Sequence, residues 1–248
     1  MYQFFIDPSM IDNNDIYIEG SDYNHIKNVL RMKKGEELAL ISSIDGKEYR
    51  CNIVDYEEDR VHLRVSFIKE NNMELPVKIY LFQGLPKSDK MELIIQKSVE
   101  LGVYEIVPVA MKRCVVKLDA KKEASKLARY NTISEAAAKQ SKRRIIPKVT
   151  GVMSFSEAVN YCKDFDIKLL PYEMEDMDSM DKTRELIGSA RGAKAIAVFI
   201  GPEGGFDEAE VEYAKENGIK PITLGKRILR TETAGIAVMS WFLYVLEQ

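Results

Sequence analysis

Two short stretches of the chain carry residue types able to do chemistry. The first is Ile200-Gly201-Pro202-Glu203-Gly204-Gly205-Phe206, which follows an apolar run and precedes an amphipathic one. Glycines adopt positive φ and let a ligand approach the backbone closely, and proline stiffens the loop. The pattern is neither G-x-G-x-x-G nor G-x-x-x-x-G-K-[ST], so it supports neither a dinucleotide fold nor a P-loop. Asp207, at the expected N-cap of the next helix, would repel a phosphate at that helix terminus. Taken alone, this loop also reads as a tight strand-to-helix turn with no ligand.

The second stretch is Leu224-Gly225-Lys226-Arg227-Ile228-Leu229-Arg230-Thr231-Glu232-Thr233-Ala234. It offers backbone groups, two guanidinium groups and three hydrogen-bonding side chains that enter an apolar helix. Both stretches are expected at the carboxyl ends of strands, where ligands of open α/β sheets bind. The alternative is local: Arg227 and Arg230 pair with Glu203 and Glu232 as salt bridges.

The elements that position these loops follow from patterning. Before Pro76 the chain reads as short strands at Gln3–Ile6, Asp15–Ile18, Glu37–Ile41, Glu48–Asp55 and Val61–Phe67, with a short helix at Ser21–Leu30. Asp45-Gly46 is a hairpin signal between two of the strands. Several short antiparallel strands predict a small barrel, and Glu70–Pro76 reads as a linker. After Pro76, apolar strands at Val77–Gln83, Glu105–Val109, Ile167–Leu170, Ala195–Ile200 and Pro221–Leu224 alternate with helices. The helices are Ser88–Leu101, Lys121–Gln140, one opened by the capping box Ser154–Glu157, Asp181–Ala190, Asp207–Asn217 and Glu232–Leu246. This order predicts an α/β domain with a parallel sheet. The expected domains are therefore 1–72 and 73–248. The last helix is apolar nearly all round, so it must be buried on more than one side, by its own sheet or by a second subunit.

Composition narrows the class. Of 248 residues, 46% are apolar and 36 basic residues face 39 acidic ones, which excludes disordered and collagen-like chains. The longest apolar run, Ala234–Leu246, is shorter than the roughly 18 residues a bilayer span needs. The opening Met1–Asp7 lacks a basic region and a long apolar one. A cytoplasmic protein with no membrane partner is expected. Cys51, Cys114 and Cys162 form no C-x-x-C pair, which fits reduced, mostly buried thiols. His25 and His62 lack ligand spacing, so no metal is expected.

Charge is segregated. From Lys112 to Lys148, twelve basic residues meet three acidic ones, a net of +9 on a chain whose total is −3. Lys122, Lys126 and Arg129 fall on one side of a helix that Lys142-Arg143-Arg144 follows. Such a cluster predicts a polyanion surface; the alternative is a solvated helix face.

The two loops together, IGPEGGF and LGKRILRTETA, closely resemble the signature of the bacterial ribosomal RNA small-subunit methyltransferase E (RsmE) family of the SPOUT superfamily. The resemblance extends over nearly the whole chain, through His25–Gly35, Lys87–Lys97 with Glu100-Leu101-Gly102-Val103, and Glu135–Arg143. One departure is Tyr2-Gln3, where the family often carries an arginine. The resemblance implies a C-terminal SPOUT domain with a trefoil knot, a small N-terminal PUA-like β-barrel that binds RNA, and a homodimer. It also implies methyl transfer from S-adenosylmethionine (SAM) to N3 of a uridine in 16S rRNA, free or in a small-subunit particle.

On that resemblance, Leu170, Gly201, Pro202, Gly205, Leu224, Gly225, Ile228, Leu229 and Thr233 would contact SAM. Arg230 would stabilise charge on the uridine carbonyls and Glu203 would accept the proton. By charge rather than by the resemblance, Lys122, Lys126, Arg129, Lys142, Arg143 and Arg144, with Lys27 and Arg31 of the barrel, would contact RNA. Two rivals are a ribose 2′-hydroxyl methyltransferase of the same superfamily and an RNA-binding scaffold without activity. RILRTETA speaks against the first, and SAM affinity separates the second.

Overall fold

Alternation at Val61-His62-Leu63-Arg64 places Val61 and Leu63 on one face, and both are fully buried. They sit in β6 (Arg60–Lys69), which pairs antiparallel with β5 (Glu48–Tyr56). β5 pairs in turn with β4 (Glu37–Ser42) across the Asp45-Gly46 turn, where Gly46 has φ +66°. β1 (Gln3–Ile6) runs parallel beside β4, while β3 (Asp15–Glu19) flanks β6 and carries the two-residue β2 (Ile11–Asp12). The resulting order is β1-β4-β5-β6-β3-β2. Register shifts at Arg50/Cys51 and Ile53/Asp55 in the β5–β6 ladder increase twist locally. The sheet curls around Phe4, Ile16, Leu38, Leu40, Cys51 and Leu63. Where one helix is expected over Ser21–Leu30, the chain forms α1 (Gly20–Asn24) and then a π-turn, His25–Val29. The amide of Leu30 donates to the His25 carbonyl at 2.9 Å, and Ile26 of that turn is fully buried.

This computed structural model describes residues 1–70, 73–172 and 180–247; the expected linker Glu70–Pro76 lies partly outside them. Beyond it the strands are β7 (Lys78–Gly84), β8 (Glu105–Ala110), β9 (Lys148–Val149), β10 (Met153–Ser154), β11 (Ile167–Pro171), β12 (Ala195–Ile200) and β13 (Lys220–Ile222). All their pairings are parallel, in the order β10-β8-β7-β12-β11-β13 with β9 on β8. The helices are α2 (Lys90–Glu100), α3 (Ala120–Ser141), α4 (Phe155–Tyr161), α5 (Met180–Gly188), α6 (Glu208–Glu216) and α7 (Thr231–Leu246). α2 starts two residues later than expected because Ser88 takes φ +55°, a left-handed value no helix continues through. The α7 residues Val238, Met239 and Phe242 are fully buried, and the helix contacts α2, α5 and β12. Most of its apolar circumference is thus covered by its own chain. The fold class is the expected α/β one, a parallel sheet with helices preceded by a small, mostly antiparallel curled sheet. No helix among the described residues is long and apolar enough to cross a membrane.

The domain boundary is less simple than the single cut expected after residue 72. The chain divides into two units, 1–74 with 138–146, and 75–137 with 147–248. Buried ion pairs hold 138–146 in the first unit. Arg143 Nε donates to Glu74 at 2.8 Å, and Arg144 pairs with Glu48. Gln3 donates to the Arg143 carbonyl at 2.7 Å, and Lys139 pairs with Asp22 at 2.8 Å. Burial alone would raise the Glu48 carboxyl, but Arg144 and Arg50 hold it below its usual range.

Candidate active site

The strand ends of β12, β11 and β13 form one rim, and a cleft of about 350 Å³ opens there, a volume in the range of small-ligand sites. After β12 the chain passes through Gly201–Phe206. Gly205 takes φ +67° and its amide donates to the Pro202 carbonyl at 2.9 Å, which turns the loop back. Phe206 is buried against Phe155. A Cβ on Gly201 would stand 3.2 Å from the Phe206 ring, so this position accepts little beyond glycine. Asp207 then caps α6 in a reciprocal box with Glu210.

The second wall follows β13. Thr223 Oγ1 accepts from the Gly225 amide at 3.2 Å, and Gly225 takes φ +97°, a conformation L side chains rarely reach. Leu224 to Leu229 line the cleft, with Ile228 84% exposed.

Hydrogen bonds join the two loops to a third segment. Thr231 Oγ1 donates to the Gly201 carbonyl at 2.6 Å and accepts from Gln83 Nε2 at 2.9 Å. Gln83 also donates to the Gly84 carbonyl at 3.0 Å. Gly84 presses on the first loop so closely that a Cβ would lie 2.8 Å from Pro202 and 2.9 Å from Met111 Sδ. The end of β7 is therefore part of the site, as are Arg113, Pro171 and Tyr172 on the cleft wall. None of these was singled out as a site residue in the sequence, because each contributes through packing or one side-chain contact rather than a glycine-rich pattern.

The cleft gathers Gly201, Pro202, Gly205, Leu224, Gly225, Ile228 and Leu229. Leu170 lies one residue before the rim with its side chain buried, and Thr233 is exposed away from the lining, where Ala234 takes the place instead. Arg230 occupies the N-cap of α7, where its carbonyl accepts from the Ala234 amide at 2.8 Å, and it is exposed, its guanidinium having no hydrogen bond or ion pair among the described residues. Glu203 accepts from the Lys87 amide at 3.1 Å and pairs with Lys90 Nζ at 3.0 Å. Partial burial would raise its carboxyl, yet Lys90 and the amide keep it below the usual range. A carboxylate so committed is a poor proton acceptor. In this structure Glu203 anchors the loop through Lys87 and Lys90.

The expected RNA contacts separate into two groups. Lys27 is exposed and lies over the Tyr23 ring at 4.8 Å; Arg31 is exposed with φ +53°. Lys122 pairs with Asp119 at 3.2 Å, Lys126 lies 6.0 Å from the Tyr130 ring, and Lys142 is exposed. Arg129 is held by Glu92 at 2.6 Å. Arg143 and Arg144 are 5% and 6% exposed and ion-paired, so neither can reach a phosphate. In this structure they hold 138–146 in place.

Residues 59–243 match the family model described as RNA methyltransferase domain, and residues 18–66 that described as RNA methyltransferase PUA domain. A ribosomal RNA small subunit methyltransferase E of Bacillus subtilis is 38% identical over 93% of this chain and 90% of its own length. The chain belongs to the RsmE family. A second RsmE, from Mesomycoplasma hyopneumoniae, is 32% identical over 97% of this chain and 98% of its own. A crystal structure of RsmE from Neisseria gonorrhoeae bound to S-adenosyl methionine superimposes with a TM-score of 0.83. It is 31% identical and covers 97% of this chain and 95% of that one.

Proposed function

We propose that this chain transfers a methyl group from SAM to N3 of a uridine in 16S rRNA, acting as a homodimer in the cytoplasm. The observation that carries the reading is the cleft itself, two glycine loops tied together at Thr231, with Arg227 and Arg230 beside it, whose guanidinium groups have no partner among the described residues. The residues fit the methyl donor. Positive-φ glycines at 205 and 225 present backbone with no side chain over it, so a nucleoside can approach closely, and Leu224, Leu229 and Ile200 give apolar walls. When bound, SAM supplies an electrophilic methyl on a cationic sulfur. The chain must then hold the uridine and stabilise the charge that spreads from N3 to the flanking carbonyl oxygens. Arg230 suits this task, since a guanidinium donates in a planar fork and keeps its charge at any physiological pH. Calorimetric titration tests the site: SAM binding is expected, and a chain with no affinity for it would act only as a scaffold.

RNA affinity is assigned to the exposed cations Lys27, Arg31, Lys122 and Lys142 and to the half-buried Lys126. Lys122→Gln with Lys126→Gln should reduce the slope of log affinity against log salt by about 0.7 per lost contact, with SAM affinity unchanged. Arg144→Gln should behave oppositely: it removes one of the two arginines that balance buried Glu48, leaving Arg50 alone, and should lower Tm without a comparable slope change. An altered slope at Arg144, or none at the two lysines, would contradict the assignment.

Dimerisation is expected through α7, whose Tyr244 is 72% exposed and whose Trp241 is partly so. Light scattering should return about twice the 28.3 kDa chain mass. A monomer active on RNA would refute the dimer.

A further inference from the structure

Two carboxylates flank the arginine-bearing loop. Glu203 stands in the loop after β12, and Glu232 in the first turn of α7, two residues from Arg230. In an open loop either is a ready partner for a guanidinium, and such a pair would neutralise Arg227 or Arg230. Neither pair forms. Lys90, the first residue of α2, lies 3.0 Å from Glu203 Oε1 and 3.4 Å from Glu232 Oε2. Glu232 Oε2 is buried and accepts no hydrogen bond among the described residues, so the Lys90 ammonium is the charge that balances it. The guanidinium groups of Arg227 and Arg230 have no hydrogen bond or ion pair among the described residues, and both residues are exposed.

Lys90 is well placed to do this. α2 is anchored by buried Met91, Ile94, Ile95 and Val99, so the ammonium projects from a rigid element, where a positioned group is held best. The pair with Glu203, and then that with Glu232, raises its pKa, which keeps the charge in place throughout the neutral range.

We propose that Lys90 is a positioning residue: by occupying Glu203 and Glu232 together, it keeps Arg227 and Arg230 uncompensated and available to the anionic substrate. The inference rests on the function proposed above for those arginines. It differs from a plain loop tether, because a tether acts by holding segments together and this role acts by removing negative charge from two arginines.

The test uses Lys90→Met, Lys90→Arg, and Lys90→Met combined with Glu203→Gln and Glu232→Gln, all in the full chain. A crystal structure of Lys90→Met should show Arg227 or Arg230 in a salt bridge with Glu203 or Glu232. In steady-state methylation of small-subunit RNA, Lys90→Met should lower kcat on the order of ten- to a hundredfold, with the Kd for SAM within about threefold. Lys90→Arg should restore most of the rate, and so should the triple variant, which lacks the competing carboxylates. A simple tether predicts no rescue by the triple variant, since its loops are equally untied. The proposal is overturned if both arginines stay unpaired in Lys90→Met, or if the triple variant is no faster than Lys90→Met. If the arginines collapse onto the carboxylates while the wild-type chain neither binds SAM nor methylates RNA, the charge-separating role stands and the proposed function is what fails.

Discussion

Gly225→Val should abolish SAM binding and leave the chain folded. The residue takes φ +97°, where a β-branched side chain is strained by about 1–3 kcal/mol or more. A Cβ there would meet nothing within 4 Å, so the effect is conformational: the Leu224–Leu229 segment must leave its path along the cleft. Calorimetry should show Kd rising by at least about a hundredfold, or roughly 2.7 kcal/mol, with a modest fall in Tm. Gly201→Val should lose binding too, by a different route, because its Cβ would press on the Phe206 ring at 3.2 Å. Undiminished affinity in either variant would remove the two loops from the cofactor site.

Arg230→Ala should lower kcat by about 10²–10³, the scale of one lost charge-stabilising donor in a transition state. SAM affinity and Tm should hardly move. That combination is informative because Arg230 has no carboxylate partner among the described residues, so its loss strands no buried charge. Arg230→Lys should recover only part of the rate, since an ammonium lacks the planar fork. Equal losses in kcat and Tm would mean that Arg230 is structural, and an unchanged kcat would place charge stabilisation elsewhere.

The parts of the molecule legible in the sequence are those governed by local rules. Period-2 alternation marked β6, the apolar runs marked β7 and β12, and a capping box marked α4. The glycine loops were legible because positive φ demands glycine at 205 and 225. What escaped depends on partners distant in sequence. The two-residue strands β9 and β10 exist only because β8 offers them an edge. Arg143 and Arg144 look like a basic patch until Glu74 and Glu48 are placed beside them, 69 and 96 residues away. Likewise nothing near Glu232 identifies Lys90 as its counter-charge, or marks Gln83 as the partner of Thr231 across 148 residues. The Lys87–Lys97 stretch belongs to the family resemblance, and the ion pairs of Lys90 with Glu203 and Glu232 give it a chemical reason.

The central claim is that this chain methylates N3 of a uridine in small-subunit rRNA. Mass spectrometry of nucleosides from small-subunit rRNA of cells deleted for the chain tests it most directly. N3-methyluridine should disappear from one position in the deletion strain, and should return with the wild-type chain but not with Arg230→Ala. An unchanged modification pattern, or loss of a ribose methyl or a different base methyl in its place, would contradict it.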